Sequence, residues 1–103
     1  EVHQYRNLGE VIENADVIYM TRVQKERMAS SDGVSTDGSD YALTRELVRR
    51  MKTHVIVMHP LPRNNEIPTW FDSDPRAVYF NQAQNGLYVR VVLLEELLNP
   101  FPD

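Results

Sequence analysis

The chain has 103 residues, of which 42% are apolar and 25% charged, with a formal charge of −4 at pH 7. That is one domain's worth of chain, able to bury about 60–65% of its unfolded surface, with the composition of a globular domain rather than a disordered segment. The mild acidity leaves no electrostatic footprint for nucleic acid or an anionic membrane, and the absence of cysteine excludes a disulfide scaffold, a thiolate nucleophile and a thiolate zinc site.

The chain opens on Glu1 rather than Met, so a cut or processed piece is expected. No basic region precedes an apolar run at this end, so no secretory signal is expected, and no apolar stretch reaches membrane-spanning length. Val17-Ile18-Tyr19-Met20 is a short apolar run after Asn14-Ala15-Asp16 and predicts a buried strand. Directly after it comes Thr21-Arg22-Val23-Gln24-Lys25-Glu26-Arg27, with three cations, an amide and a carboxylate. Arginine presents a planar fork that matches a carboxylate or phosphate, and an amide can donate and accept in the same site. A solvated basic helix start would have the same composition.

Ser30 to Asp40 is almost entirely polar and turn-forming, and predicts a long flexible loop. Thr44 is placed to cap a helix over Arg45 to Lys52, with Leu47, Val48 and Met51 on one face. Val55-Ile56-Val57-Met58 lacks alternation and predicts a strand covered on both faces. Strand, helix and strand in this order predict an α/β domain with a Rossmann-like parallel sheet flanked by helices.

His59-Pro60-Leu61-Pro62-Arg63 follows the second strand. Its two prolines remove two backbone donors and fix φ at both positions, so the segment presents carbonyl oxygens that can accept from an amine. A stiff connector is the plainer reading. His59 is read as a structural hydrogen-bonding residue sooner than a catalyst. His3, His54 and His59 have no metal-ligand spacing, and no glycine-rich phosphate loop is present, so no metal or nucleotide cofactor is expected. Asp72, Asp74, Glu95 and Glu96 are read as solvated. In the last segment Ala83, Leu87, Val91, Leu94 and Leu98 fit one helical face, whereas Asn85-Gly86 between apolar runs also fits a hairpin.

Residues 15–98 resemble the aspartate carbamoyltransferases. The likeness lies in Tyr19-Met20-Thr21-Arg22-Val23-Gln24-Lys25-Glu26-Arg27, in Val57-Met58-His59-Pro60-Leu61-Pro62-Arg63, in Glu66-Ile67, in Asp72 to Ala77, and in Tyr79 to Arg90. Ornithine carbamoyltransferases are similar but carry a cysteine in the second motif and lack the Thr-Arg-x-Gln segment, which favours the aspartate branch. The resemblance implies the second, aspartate-binding domain of a carbamoyltransferase, spanning residues 1–103, with the carbamoyl-phosphate domain and its Ser-Thr-Arg-Thr motif absent and the isolated chain inactive. It implies a cytoplasmic enzyme of pyrimidine biosynthesis, or an organellar one in a eukaryote, that carbamoylates the L-aspartate amine with carbamoyl phosphate and belongs to a homotrimer-based parent.

The resemblance also assigns roles. Arg22 binds the substrate carboxylate, Gln24 assists, and the carbonyls of Pro60 and Leu61 meet the substrate nitrogen. The Leu61–Pro62 bond is cis. Glu26 orients Arg22, Arg27 reaches the other domain, and Glu66 and Arg90 form a structural pair. Thr21, Pro62 and Arg63 support these groups, and none of the catalytic residues proper lies in this half. Residues 30–40 depart from the family's Gly-x-Tyr step in the loop that closes over aspartate. The last segment becomes a helix that packs back on the first domain. The rival reading is a non-catalytic carbamoyltransferase-like module for scaffolding or partner binding.

Overall fold

A computed structural model describes residues 1–22 and 41–99. The predicted loop 30–40 lies outside the described residues, as do Gln24, Glu26 and Arg27. The elements, in chain order, are a 3₁₀ turn at Leu8–Glu10, strand β1 (Val17–Tyr19), helix α1 (Arg45–Arg50), strand β2 (Ile56–Met58), a 3₁₀ segment at Thr69–Ser73 and helix α2 (Tyr79–Leu98).

The two apolar runs pair as parallel strands, with Val17 opposite Ile56, Ile18 opposite Val57 and Tyr19 opposite Met58. Ala77 adds a parallel bridge to Val57, with the Val57 N–H donating to the Arg76 carbonyl at 2.8 Å and the Val78 N–H to the Val57 carbonyl at 3.0 Å. The predicted α/β architecture is therefore present. The expectation of a strand covered on both faces is corrected. Val57 is fully buried, but Val17, Tyr19 and Ile56 lie on the opposite face and are exposed. Two strands and their packing elements cover one side of the sheet, and the β-branched composition of the run does not report which side that is.

Thr44 caps α1 as the sequence predicts, its hydroxyl accepting from the Leu47 N–H at 3.2 Å. The helix stops at Arg50, two residues short of the expectation. Its C-terminal end is clamped by long side chains. The Arg50 guanidinium donates to the Gly9 carbonyl and to Glu13, both at 2.7 Å, and the Lys52 ammonium donates to the Asn14 carbonyl and to Asp16. These bonds hold the 3₁₀ turn against α1. The core behind the sheet gathers Ile12, Ile18, Leu43, Val48, Val55, Val57, Ile67, Phe71 and Tyr79, all buried.

The last segment is helical for 20 residues, with Asn85 and Gly86 inside it, so the hairpin alternative is excluded. Only its first turns touch the body. Tyr79 is fully buried, whereas every residue from Leu87 to Asn99 is exposed. The single apolar face is also corrected: Tyr88, Val89, Val92, Leu93 and Leu97 are exposed around the helix alongside Leu87, Val91, Leu94 and Leu98. A helix apolar all round ordinarily sits buried. Among the described residues, no helix is long and apolar enough to cross a membrane.

So large an exposed apolar surface should make the isolated chain self-associate and bind a hydrophobic dye. Replacing Leu94 and Leu97 with Glu should remove the dye signal without lowering the melting temperature, because neither side chain touches the core. A monodisperse, dye-silent wild-type monomer would contradict this.

Candidate functional site

Parallel pairing brings the carboxyl ends of β1 and β2 side by side, where open α/β sheets bind their ligands. The Met20 N–H donates to the Met58 carbonyl at 2.9 Å, extending the ladder one residue beyond the strands. Thr21 and Arg22 leave this edge from β1 and are exposed. His59, Pro60, Leu61 and Pro62 leave it from β2. The structure thus brings Thr21 and Arg22 to the same edge as Pro60 and Leu61.

The β2 exit is tightly built. His59 is buried, with Nε2 2.7 Å from Glu66 Oε1, while the Leu61 N–H donates to His59 Nδ1 at 2.8 Å. A nitrogen that accepts carries no proton, so the imidazole is the Nε2–H tautomer and donates to Glu66. His59 is therefore structural, as its sequence context suggests. Its backbone N–H donates to Gln82 Oε1 at 2.9 Å, and Gln82 Nε2 donates to the Tyr19 hydroxyl at 3.3 Å. Gln82 ties both strands to the first turn of α2. Sequence reasoning missed it, and the only available signal was a polar side chain just inside the start of an apolar helix. The Leu61–Pro62 bond is cis, and Leu61 has φ 52°.

Glu66 is buried and also accepts from the Asn64 N–H at 3.0 Å, while its carbonyl accepts from the Leu43 N–H. Burial pushes its carboxyl up, but the Asn64 and Glu66 backbone N–H groups and the His59 ring outweigh this and hold it below the ordinary value. The expected pairing of Glu66 with Arg90 is not present. Glu66 pairs with His59, and the exposed Arg90 sits over Gly86, about 16 Å along α2 from Tyr79 at 1.5 Å per residue.

Arg63 is partly buried beyond the β2 exit. Its guanidinium makes a two-pronged pair with Asp72, and the Tyr79 hydroxyl donates to the same carboxylate. Asp74 pairs in the same way with Arg76, whose guanidinium also donates to the carbonyls of Val48 at 3.2 Å and Lys52 at 3.4 Å. Arg76 thereby satisfies carbonyls that the end of α1 leaves without helical partners. The reading of Asp72 and Asp74 as solvated is corrected: both are partly buried ion-pair members. Hydrogen bonds from Arg63 lower the Asp72 carboxyl, and those from Arg76 lower that of Asp74. Burial, with Asp72 beside it, pushes the Tyr79 phenol up to about 12.

A groove of about 500 Å³ adjoins the β1 exit, lined by Tyr5, Arg6, Tyr19, Met20, Thr21 and Tyr41 among others. No sequence pattern marks Tyr5, Arg6 or Tyr41 as neighbours. Among the described residues, no cluster of His, Asp and Glu could hold a metal ion.

The family model for the aspartate/ornithine carbamoyltransferase Asp/Orn binding domain matches residues 1–97. The chain belongs to this family. It is 46% identical over 98 residues to the multifunctional protein CAD of Squalus acanthias, covering 95% of this chain and 4% of that protein. It is 42% identical to the chloroplastic aspartate carbamoyltransferase 1 of Pisum sativum, covering 95% of this chain and 26% of the relative. The fold superposes on aspartate transcarbamoylase of Trypanosoma cruzi, solved with carbamoyl phosphate and aspartate, with a TM-score of 0.75 and 41% identity over 89% of this chain and 30% of that one. The domain thus spans under a third of the length of each of these proteins.

The two carboxylate pairs set an acid limit on stability. Both folded pKa values are depressed, so their contribution is present above the ordinary carboxylate range and is lost as pH falls through the folded values. The urea midpoint should drop from about pH 6 to about pH 2, and Asp72→Asn should flatten that drop while costing about 1–3 kcal/mol at neutral pH. Equal pH slopes for the two proteins would refute the role given to Asp72.

Proposed function

We propose that this chain is the aspartate-binding part of an aspartate carbamoyltransferase, which moves the carbamoyl group of carbamoyl phosphate onto the L-aspartate amine in pyrimidine biosynthesis. The observation that supports it best is the shared edge at which β1 delivers Arg22 and β2 delivers the carbonyls of Pro60 and Leu61. Aspartate brings two carboxylates and an amine. Arg22 matches a carboxylate with a planar fork, with Gln24 assisting, and the Pro60 and Leu61 carbonyls accept from the amine. Among the described residues no hydrogen bond takes either carbonyl. That holds the nucleophile oriented toward the carbamoyl carbon, which is catalysis by positioning.

Attack by the neutral amine forms the C–N bond and a tetrahedral carbon, which collapses as the C–O bond breaks and phosphate leaves, the amine proton passing to the departing phosphate. Stabilising that charge needs donors on the carbamoyl-phosphate side, and the residues named here supply only the aspartate side. On this reading residues 1–103 form the aspartate-binding domain, and the carbamoyl-phosphate domain is a separate unit. Glu26 orients Arg22, and Arg27 reaches across to the other domain. The parent is homotrimer-based and works in the cytoplasm or, in a eukaryote, in an organelle.

Two measurements test the proposal. L-Aspartate titrated into the chain should bind, and Arg22→Ala should weaken binding about ten- to hundredfold, the cost of losing charge-assisted hydrogen bonds. Equal affinity in the variant would favour the scaffolding module. The chain alone should form no carbamoyl aspartate from carbamoyl phosphate and aspartate, and substantial turnover would sink the claim of incompleteness.

A further inference from the structure

From His59 to Pro62 the backbone has only two N–H groups, because Pro60 and Pro62 have none. Both are consumed inside the fold: the His59 N–H by Gln82 Oε1 at 2.9 Å, and the Leu61 N–H by His59 Nδ1 at 2.8 Å. The segment therefore turns its donors inward, and the Pro60 carbonyl, which lies opposite the Leu61 N–H across their trans peptide, points away from His59. Leu61 pays for this arrangement with φ 52°, in the left-handed region that a branched side chain disfavours. Such a residue persists only when its surroundings over-determine it. Here the imidazole acts as the side chain of an Asx-turn does, accepting from the N–H two residues on. It can accept only while its proton is on Nε2, and the Glu66 carboxylate 2.7 Å from Nε2 holds it there.

We propose that His59 is a positioning residue for the reaction: by capturing the Leu61 N–H on Nδ1, with Glu66 fixing its tautomer, it sets the direction of the Leu61 carbonyl that receives the aspartate amine. This rests on the aspartate reading of Arg22, Pro60 and Leu61. Glu66 then acts through His59, and Gln82 holds the other end of the turn. Both members are buried, so the role proposed for them is positioning and not catalysis.

Substitution at His59 separates this role from mere packing. Asparagine places an oxygen acceptor where Nδ1 stands, whereas glutamine reaches toward Glu66 and leaves the Leu61 N–H without a partner. In the isotopically labelled chain, NMR should show a scalar coupling across the Leu61 N–H to Nδ1 bond and an Nε2-protonated imidazole. Residual dipolar couplings at Leu61 should keep their wild-type values in His59→Asn and change in His59→Gln. L-Aspartate affinity should fall about tenfold in His59→Gln, the worth of one well-made hydrogen bond, and stay close to wild type in His59→Asn. An Nδ1-protonated wild-type imidazole, or unchanged Leu61 couplings in His59→Gln, would overturn the proposal. So would equal loss of affinity in both variants. Should His59→Gln not fold, the wild-type coupling and the asparagine variant decide. Failure of the wild-type chain to bind aspartate would instead refute the aspartate reading, and the Leu61 couplings would still judge His59.

Discussion

One buried imidazole fixes the carboxyl edge of the sheet. His59 stands where β2 ends, and its three polar groups each reach a different part of the chain: Glu66 in the following loop, Leu61 in the adjacent turn and Gln82 on α2. Removing one member of such a network leaves a buried partner without its bond, which typically costs more than the bond itself contributes. The network is fully satisfied, with no buried side-chain nitrogen or oxygen left without a partner among the described residues. Complete satisfaction is what lets a polar cluster stay inside a core as modest as this one. Glu66 adds a second constraint, since its carbonyl takes the Leu43 N–H and so joins the approach to α1 to the same loop.

The remaining charges divide by what they face. Arg63 and Arg76 are each paired with a carboxylate and partly buried, and each also reaches a second structural group, the Tyr79 ring or the end of α1. Arg45 lies over the Trp70 ring at 4.4 Å. Arg22 is exposed where β1 ends. Arginines identical in a composition count thus do different work, because guanidinium geometry suits a bidentate pair, a carbonyl cluster and an aromatic face alike.

That division explains what could be read from the residues. The two apolar runs, the Thr44 cap and the proline-flanked exit of β2 are local features, and local physics fixes them within a residue or two. The choice of helix over hairpin at Asn85-Gly86 rested on resemblance, since turn chemistry there is ambiguous by pattern. Partner choice was illegible. Arg76 reaches Val48 across 28 residues, and Asp72 meets Arg63 through a loop, so no spacing rule marks either. The structural pair that the resemblance implies for Glu66 and Arg90 does not form, because α2 carries Arg90 away from the loop that buries Glu66 against His59. The two segments that leave the strand ends are legible from the order of the apolar runs, whereas the bond from the Leu61 N–H to His59 has no sequence signal.

The long helix makes the same point energetically. At 1.5 Å per residue its 20 residues extend about 30 Å, and only the first turns are anchored by Tyr79 and Gln82. The remaining stretch is too short to be more than marginally helical on its own in water, and Val89, Val91 and Val92 weaken it further. Its exposed leucines and valines would gain about 25 cal/mol for each Å² of apolar area covered. A locally weak helix that carries this much apolar surface would gain stability from whatever covered it. The strand edge is different. Its hydrogen bonds close within the described residues, so the turn from His59 to Pro62 is held by the domain itself, whereas most of the helix is held only by its own backbone bonds.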